Sequence, residues 1–489
     1  MSKKVTQKRS FSLLKTWGCL GALLMLMPTT AFAAQETTQT AAALPVWLCI
    51  PFIALLLCIA VMPLVKAKWW DSHQPHVIAV CILAFLIPYA VLKGIGASVE
   101  VVFECIINDY LTFIVLLFGL YCVAGNIALE GDLAGSPRIN VMLLALGTCL
   151  SSIIGTTGAS MLMVRPIIKM NAWRTKRSHI MVFFIFLVSN IGGCLTPIGD
   201  PPLLMGFSRG VPFFWSLHLL PIFLLNVAVL LFVFYWIDRK KYCQDIAKGW
   251  MPDIRKAGTE VKISGLHNLI FLAMIIVAVI LSSVLPNMEL FQNADGSVIG
   301  LPIYGDVVLT VPAVIEIAII LLAAFLSFRT SKPEFRQKNH FTWGAIIEVA
   351  VLFVGIFITM NPALQILKTV GSTMEIDSPM QMFWMAGALS SFLDNTPTYL
   401  VFTTMVGAMG FTEGVATTLG VIPVKMLMAI SAGAVFMGAN TYIGNAPNFM
   451  VKSIAVENGI RMPSFFRYML WSLMVLIPVF LLDSFVFFM

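Results

Sequence analysis

Acidic residues lie inside long apolar stretches of this chain, among them Asp200, Asp394, Glu316 and Glu348. Around the first two gather uncharged oxygen-bearing side chains, among them Thr156, Thr157, Ser160, Asn190, Thr196, Asn395, Thr396, Thr398, Asn440, Thr441 and Asn445. A carboxylate surrounded by hydroxyl and amide oxygens suits a hard cation such as Na⁺ or Li⁺, and the carboxylate alone can carry a proton. A charged group deep in a membrane costs about 2.5–3.5 kcal/mol on insertion scales, so it is rare without a purpose. Glu316 and Glu348, in Ala-Val-Ile-Glu-Ile-Ala and Ile-Ile-Glu-Val-Ala, are candidates for proton coupling, or else buried structural acids. Lysine and arginine are missing from these stretches. An organic anion would usually be clamped by one of them, although helix N-termini can substitute.

The polar clusters occur twice. Thr196-Pro-Ile-Gly-Asp200-Pro-Pro-Leu-Leu-Met205 and Thr441-Tyr-Ile-Gly-Asn445-Ala-Pro-Asn-Phe-Met450 share T-x-I-G-[D/N]-x-P-x-x-M, 245 residues apart. Ser151-Ser-Ile-Ile-Gly-Thr-Thr157 and Ser390-Ser-Phe-Leu-Asp-Asn-Thr396 form a second pair, 239 residues apart. Hydrogen bonding between helices could explain any one of these residues. It explains two matched clusters poorly, whereas doubled, interrupted apolar segments point to the binding site of a secondary transporter. Asp200-Pro-Pro has the pattern of a helix N-cap followed by proline at the first helical position. Asp394, in Leu-Asp-Asn-Thr-Pro-Thr, lacks that pattern, so it bears more of the expected ion-binding role.

The elements that must carry these residues are membrane helices. The chain is 59% hydrophobic and 11% charged, with mean hydropathy +0.91, too little charge to solvate a soluble protein of 489 residues. Residues 1–33 read as a signal peptide: a basic leader, a short apolar core from Trp17 to Met27, and Ala31-Phe-Ala33. Cleavage there would leave the mature N-terminus outside the cytoplasm and suggests an inner membrane. The cysteines form no C-x-x-C pair, and they are read as small hydrophobes, without disulfide or resident metal.

Apolar runs of spanning length fall near 44–65, 76–92, 108–129, 179–196 and 215–236, then 266–285, 307–327, 341–360, 422–438 and 465–487. Two further stretches, 140–168 and 380–408, are broken in the middle and read as re-entrant helical hairpins. With the N-terminus outside, this topology puts 22 of the 31 basic residues inside and only Lys93, Arg209, Lys368 and Lys425 outside, the remaining five being in the leader. The positive-inside rule asks for that asymmetry. The fold expected is an all-α polytopic membrane protein built from two inverted repeats, each of five transmembrane helices, one of them interrupted, plus a hairpin. Repeat 1 spans 34–237 with its interrupted helix at 179–205; a cytoplasmic linker covers 238–264; repeat 2 spans 265–489 with its interrupted helix at 422–450. Both mature termini would be periplasmic.

Ser189-Asn-Ile-Gly-Gly-Cys-Leu-Thr-Pro-Ile-Gly-Asp-Pro-Pro202, with Asp394-Asn-Thr-Pro397 and Asn440-Thr-Tyr-Ile-Gly-Asn-Ala-Pro447, resembles the ion transporter superfamily. The resemblance is nearest to its arsenite-pump/NhaD-type sodium–proton antiporter branch, together with proteins described as citrate transporters, and it covers the mature chain. It implies elevator-type alternating access, a homodimer, and Asp200, Asp394, Asn190 and Asn440 as ion-site residues. Some anion-carrying relatives have Ser-Asn-Thr at the hairpin tips. Here the tips read Thr-Thr-Gly and Asn-Thr-Pro.

The function expected is therefore Na⁺(Li⁺)/H⁺ antiport, with Asp200 and Asp394 binding either ion and Thr157, Thr396 and nearby carbonyls completing the shell. The alternative is Na⁺- or H⁺-coupled uptake of citrate or another organic anion. The partners expected are lipid and small ions or a small anion, not nucleic acid, and no cofactor is needed. No G-x-x-x-x-G-K-[S/T] loop is present, so exchange is expected to run without ATP, and a membrane-embedded enzyme is disfavoured because the chain has no H-E-x-x-H and Ile198-Gly-Asp200 lacks a partner aspartate motif.

Overall fold

Among the described residues, ten helices are long and apolar enough to cross a membrane. The computed structural model describes residues 44–489 apart from 132–133, 251–260, 340, 374–375 and 377. The signal peptide expected at 1–33 lies outside the described residues. The first half contains α1 (Ile50–Val65), α2 (Ala67–Lys93) and α3 (Ile95–Glu104), which runs through a π-helical stretch, Cys105–Tyr110, into α4 (Leu111–Gly125). Then come α5 (Pro137–Ile154), α6 (Thr156–Met170), α7 (Ser178–Leu187), α8 (Pro201–Ser208) and α9 (Leu220–Ala247). The second half contains α10 (Asn268–Val284), α11 (Val311–Thr330), a short α12 (Pro333–Lys338), α13 (Gly344–Val370), α14 (Pro379–Ser390), α15 (Asn395–Gly407), α16 (Val424–Met437), α17 (Ala446–Glu457) and α18 (Phe465–Phe487). The chain is an all-α polytopic membrane protein.

Among the described residues, three short antiparallel ribbons interrupt the helical pattern. β1 (Ala128–Gly131) pairs with β2 (Val261–Ser264), β3 (Gly300–Tyr304) with β4 (Val307–Thr310), and β5 (Val415–Thr417) with β6 (Gly420–Ile422). The first ribbon joins the loop after α4 to the start of the second half, and α9 continues helically to Ala247, so helix and strand take up both ends of the expected linker.

The two broken stretches are each a pair of helices joined by a tight turn. Ser136 caps α5, its side chain accepting from Ile139 N, and Pro137 occupies the first turn, where its missing N–H is not needed. The helix ends at Gly155, whose φ of +79° is a left-handed conformation that residues with a Cβ rarely adopt. At 18 residues, α5 is by length and composition alone able to cross a membrane, whereas its counterpart α14 has 12 residues. The span expected at 422–438 appears as the shorter apolar segment Val424–Asn440.

α7 is buried on all sides from His179 to Leu187, as suits a helix that is apolar all round. Outer helices leave large apolar side chains such as Phe232, Phe325 and Phe466 exposed, the surface that lipid would solvate. Each pair packs on the interrupted helix of its own half: α5 on the 3₁₀ turn Ile191–Leu195 that follows α7, and α14 on α16. The second arms cross over, α6 packing on α17 and α15 on α8. That exchange brings residues from both halves into one centre.

A buried ionic network fastens the base of the first pair. Arg174 donates from Nη2 to Asp238 Oδ1 at 2.8 Å and from Nε to Asp245 Oδ2 at 3.1 Å, with both aspartates on α9. His179 Nε2 lies 2.8 Å from the same Asp238 oxygen, and Asn140 Nδ2 donates to the other at 2.9 Å. Asn140 and Asn171, at opposite ends of the α5–α6 pair, exchange reciprocal bonds of 3.0 and 2.8 Å. Thr175 donates to Asp245.

Candidate functional site

The two helix breaks have the same backbone. Thr196 (φ −142°, ψ 155°) and Thr441 (−135°, 167°) are extended, as are Asp200 (−143°, 140°) and Asn445 (−150°, 140°). The same side chains hold both breaks open. Thr196 Oγ1 donates to Ser152 O, and Thr441 Oγ1 to Ser391 O at 2.5 Å. Ser152 Oγ donates to Gly192 O at 2.5 Å, and Ser391 Oγ to the equivalent Met437 O at 3.1 Å. These are the second serines of the repeated Ser-Ser motifs, and they donate to carbonyls that the broken helix leaves without partners.

The breaks also bring backbone against backbone. A Cβ on Gly199 would stand 2.2 Å from Gly193 O, and one on the equivalent Gly444 would stand 2.5 Å from Gly438 O. Real Cβ atoms do not approach so closely. Gly199→Ala is expected to destabilise the protein by about 1–3 kcal/mol through overpacking, seen as a lower thermal midpoint in detergent.

Asp200 is 1% exposed at the centre of this arrangement. Its Oδ1 accepts from Thr156 Oγ1 at 2.9 Å and from Asn445 Nδ2 at 3.4 Å, and its Oδ2 from Asn395 Nδ2 at 3.1 Å. One hydroxyl and two amides, from three different helices or helix caps, therefore hold the carboxylate, and all three are neutral. Asn445 Nδ2 also lies 3.2 Å from both Asn190 Oδ1 and Ser189 O. Asn190 Nδ2 donates in turn to Asn448 Oδ1 at 2.7 Å, and Ser160 and Ser189 share a 2.8 Å bond nearby.

Capping by the two aspartates is the reverse of what their sequence patterns suggest. Asp200 occupies the N-cap position of α8, yet its side chain makes no capping bond. The next two residues are Pro201 and Pro202, which have no N–H to offer, and Leu203 N is taken by the Asp200 carbonyl at 3.1 Å. The carboxylate is thereby released into the site. Asp394, half-buried, does cap: its Oδ1 accepts from Thr396 N at 3.1 Å at the start of α15. Thr398 Oγ1 donates to the Asp394 carbonyl at 3.1 Å.

Four helix N-termini meet here. Thr156 and Asn395 are the first residues of α6 and α15; Asp200 and Asn445 are the N-caps of α8 and α17. Each N-terminus contributes roughly half a positive charge, so the carboxylate lies in a field that favours anions.

The remaining expected residues are distributed as follows. Thr156, rather than Thr157, supplies the hydroxyl on Asp200; Thr157 is half-buried beside it. Thr196 and Thr441 serve the breaks and do not bond to the carboxylate. Asn440 Nδ2 donates to Ser391 Oγ at 3.0 Å, while its buried Oδ1 has no hydrogen-bond partner among the described residues. Thr396 is buried behind the cap. Glu316 lies on α11 beside Ser282 of α10, and it joins none of the bonds to Asp200. Glu348, on α13, is exposed. Asn448 escaped the sequence reading because the repeated motif leaves its position open; only its amide side chain, inside an apolar segment, could have flagged it.

A family model described as "Putative citrate transport" matches residues 41–488, nearly the whole chain. Among curated proteins no match is found.

Proposed function

We propose, for a chain that belongs to this citrate-transport family, a secondary active transporter of the inner membrane that exchanges Na⁺ or Li⁺ for H⁺ at Asp200. One observation carries the reading: a carboxylate 1% exposed, held by Thr156, Asn395 and Asn445, with no basic side chain among its hydrogen-bond partners. A buried ionised acid without a counter-charge is costly. It takes up either a proton or a metal ion, and competition for that one group is sufficient for exchange. Ser189 O and Asn190 Oδ1 accept from Asn445, the amide that also reaches the carboxylate, and are the further oxygens offered to the ion in this reading. In this reading the two halves are inverted repeats, and the Thr156–Asp200 and Asn395–Asn445 pairs are their half-sites.

A second reading, cation-coupled uptake of citrate or a similar organic anion, is supported by the family description and by the four converging helix N-termini. They could hold carboxylates in place of the missing arginines.

Dye-reported pH change in everted vesicles separates the two. Alkalinisation on adding NaCl or LiCl supports exchange; a response to sodium citrate alone transfers the site to the organic anion. Asp394→Asn and Asp394→Ala sharpen the result. Asparagine caps helices as well as aspartate does, while alanine costs about 1 kcal/mol. Loss of transport in both variants assigns Asp394 to the ion path, and loss in alanine alone assigns it to the cap.

A further inference from the structure

Asn448 occupies a place that the repeat does not duplicate. It is fully buried on α17. Its Nδ2 donates to Gly438 O and to Thr441 O, both at 2.9 Å, closing the two sides of the second break. Its Oδ1 accepts from Asn190 Nδ2 at 2.7 Å, at the mouth of the first break. A single side chain thus fastens one interrupted helix to the other. The residue 245 positions before Asn448 is Leu203, and the residue 245 positions after Asn190 is Val435. Both counterparts are apolar, so the mirror-image brace cannot form.

The brace leads to the carboxylate. With Asn190 Nδ2 held by Asn448 and by Ile185 O at 2.8 Å, its Oδ1 is turned towards Asn445, whose Nδ2 reaches Asp200 at 3.4 Å, the longest bond the carboxylate accepts. Removing the Asn448 oxygen takes away the shortest of the three bonds that orient the Asn190 amide and leaves Ile185 O as the one acceptor of its Nδ2. Asn445, and the oxygens of Asn190 and Ser189 beside it, would then lose their fixed placement around Asp200.

We infer that Asn448 is a positioning residue for the central site: through Asn190 and Asn445 it sets the oxygen geometry around Asp200, and it does so in only one of the two half-sites. The inference rests on Asp200 being the transport site, whichever cargo that site takes. If Asn448 merely served the carbonyls of the second break, its loss would affect folding and nothing else.

A double-mutant cycle tests this, using Asn448→Leu and Asn190→Val, each of which installs the residue of the opposite repeat, and the double variant. The readouts on purified, detergent-solubilised full-length protein are the half-saturating Na⁺ and Li⁺ concentrations for proton release, and the thermal midpoint. Asn448→Leu is expected to raise the half-saturating Na⁺ about tenfold, with a changed Na⁺/Li⁺ ratio; Asn190→Val, which also removes the Oδ1 beside Asn445, raises it at least as much, and the double variant no further than Asn190→Val alone, because the link is already gone. Multiplying effects, or shifts confined to the thermal midpoint, overturn the inference. Should Asn448→Leu fail to fold, Asn448→Ser keeps a hydroxyl donor for the break while giving up the reach to Asn190. If wild type releases no protons with either cation, the exchange reading fails, and the same cycle run on the half-saturating citrate concentration decides the brace separately.

Discussion

Asp200→Asn is expected to remove cation-driven pH change from vesicles while the protein still inserts and folds. The substitution keeps the shape of the side chain and deletes the charge that Thr156, Asn395 and Asn445 hold at the meeting point of α6, α8, α15 and α17. Interactions with a charged group contribute up to about 3 kcal/mol each, so the loss should reach about a hundredfold in apparent ion affinity. Part of the effect will appear in stability. Thr156, Asn395 and Asn445 all donate to the carboxylate, and an amide nitrogen placed against them would leave two donors facing each other. Comparing the thermal midpoint with transport in the same preparation separates these contributions. A variant that folds like wild type and still alkalinises with NaCl would remove Asp200 from the exchange.

Arg174→Met should produce the largest loss of stability in the molecule outside the site. The guanidinium has no exposed side-chain surface and neutralises Asp238 and Asp245, themselves buried. Taking away one partner of a buried ionic group leaves the others uncompensated, at a cost of about 3–5 kcal/mol. The guanidinium also lies over the rings of Trp173 and Tyr242, at 5.5 and 5.3 Å from their centroids. Methionine would keep part of that packing and none of the charge. The consequence is local before it is global: α5, α6, the start of α7 and α9 are all fastened at this point. The thermal midpoint should drop sharply, and Arg174→Met combined with Asp238→Asn and Asp245→Asn should recover part of the loss. No recovery in the triple variant would mean that packing, not charge, dominates.

The molecule's sequence is legible where its physics is local. Apolar runs mark the helices, and the doubled Thr-x-Ile-Gly and Ser-Ser motifs mark the two breaks, because an open break needs the same donors each time it occurs. The field of four N-termini follows once the breaks are placed. Other features depend on what lies across the chain. Asp200 looks like a cap from its neighbours, and those same neighbours, Pro201 and Pro202, deny it the N–H it would cap. Asp394 shows no proline pattern and caps through Thr396 N. Arg174 passes for one more basic loop residue until the fold sets it against Asp238, 64 positions on. Asn448 is silent for the same reason, since its partner Asn190 is 258 positions away.

Proton release from the purified protein on titration with NaCl tests most directly whether one carboxylate serves both ions. In weakly buffered solution with a pH indicator, wild type should release protons in a saturating manner with Na⁺ and with Li⁺, and Asp200→Asn should release none. Saturable release that survives in Asp200→Asn, or no release from wild type at any Na⁺ concentration, would contradict exchange at Asp200.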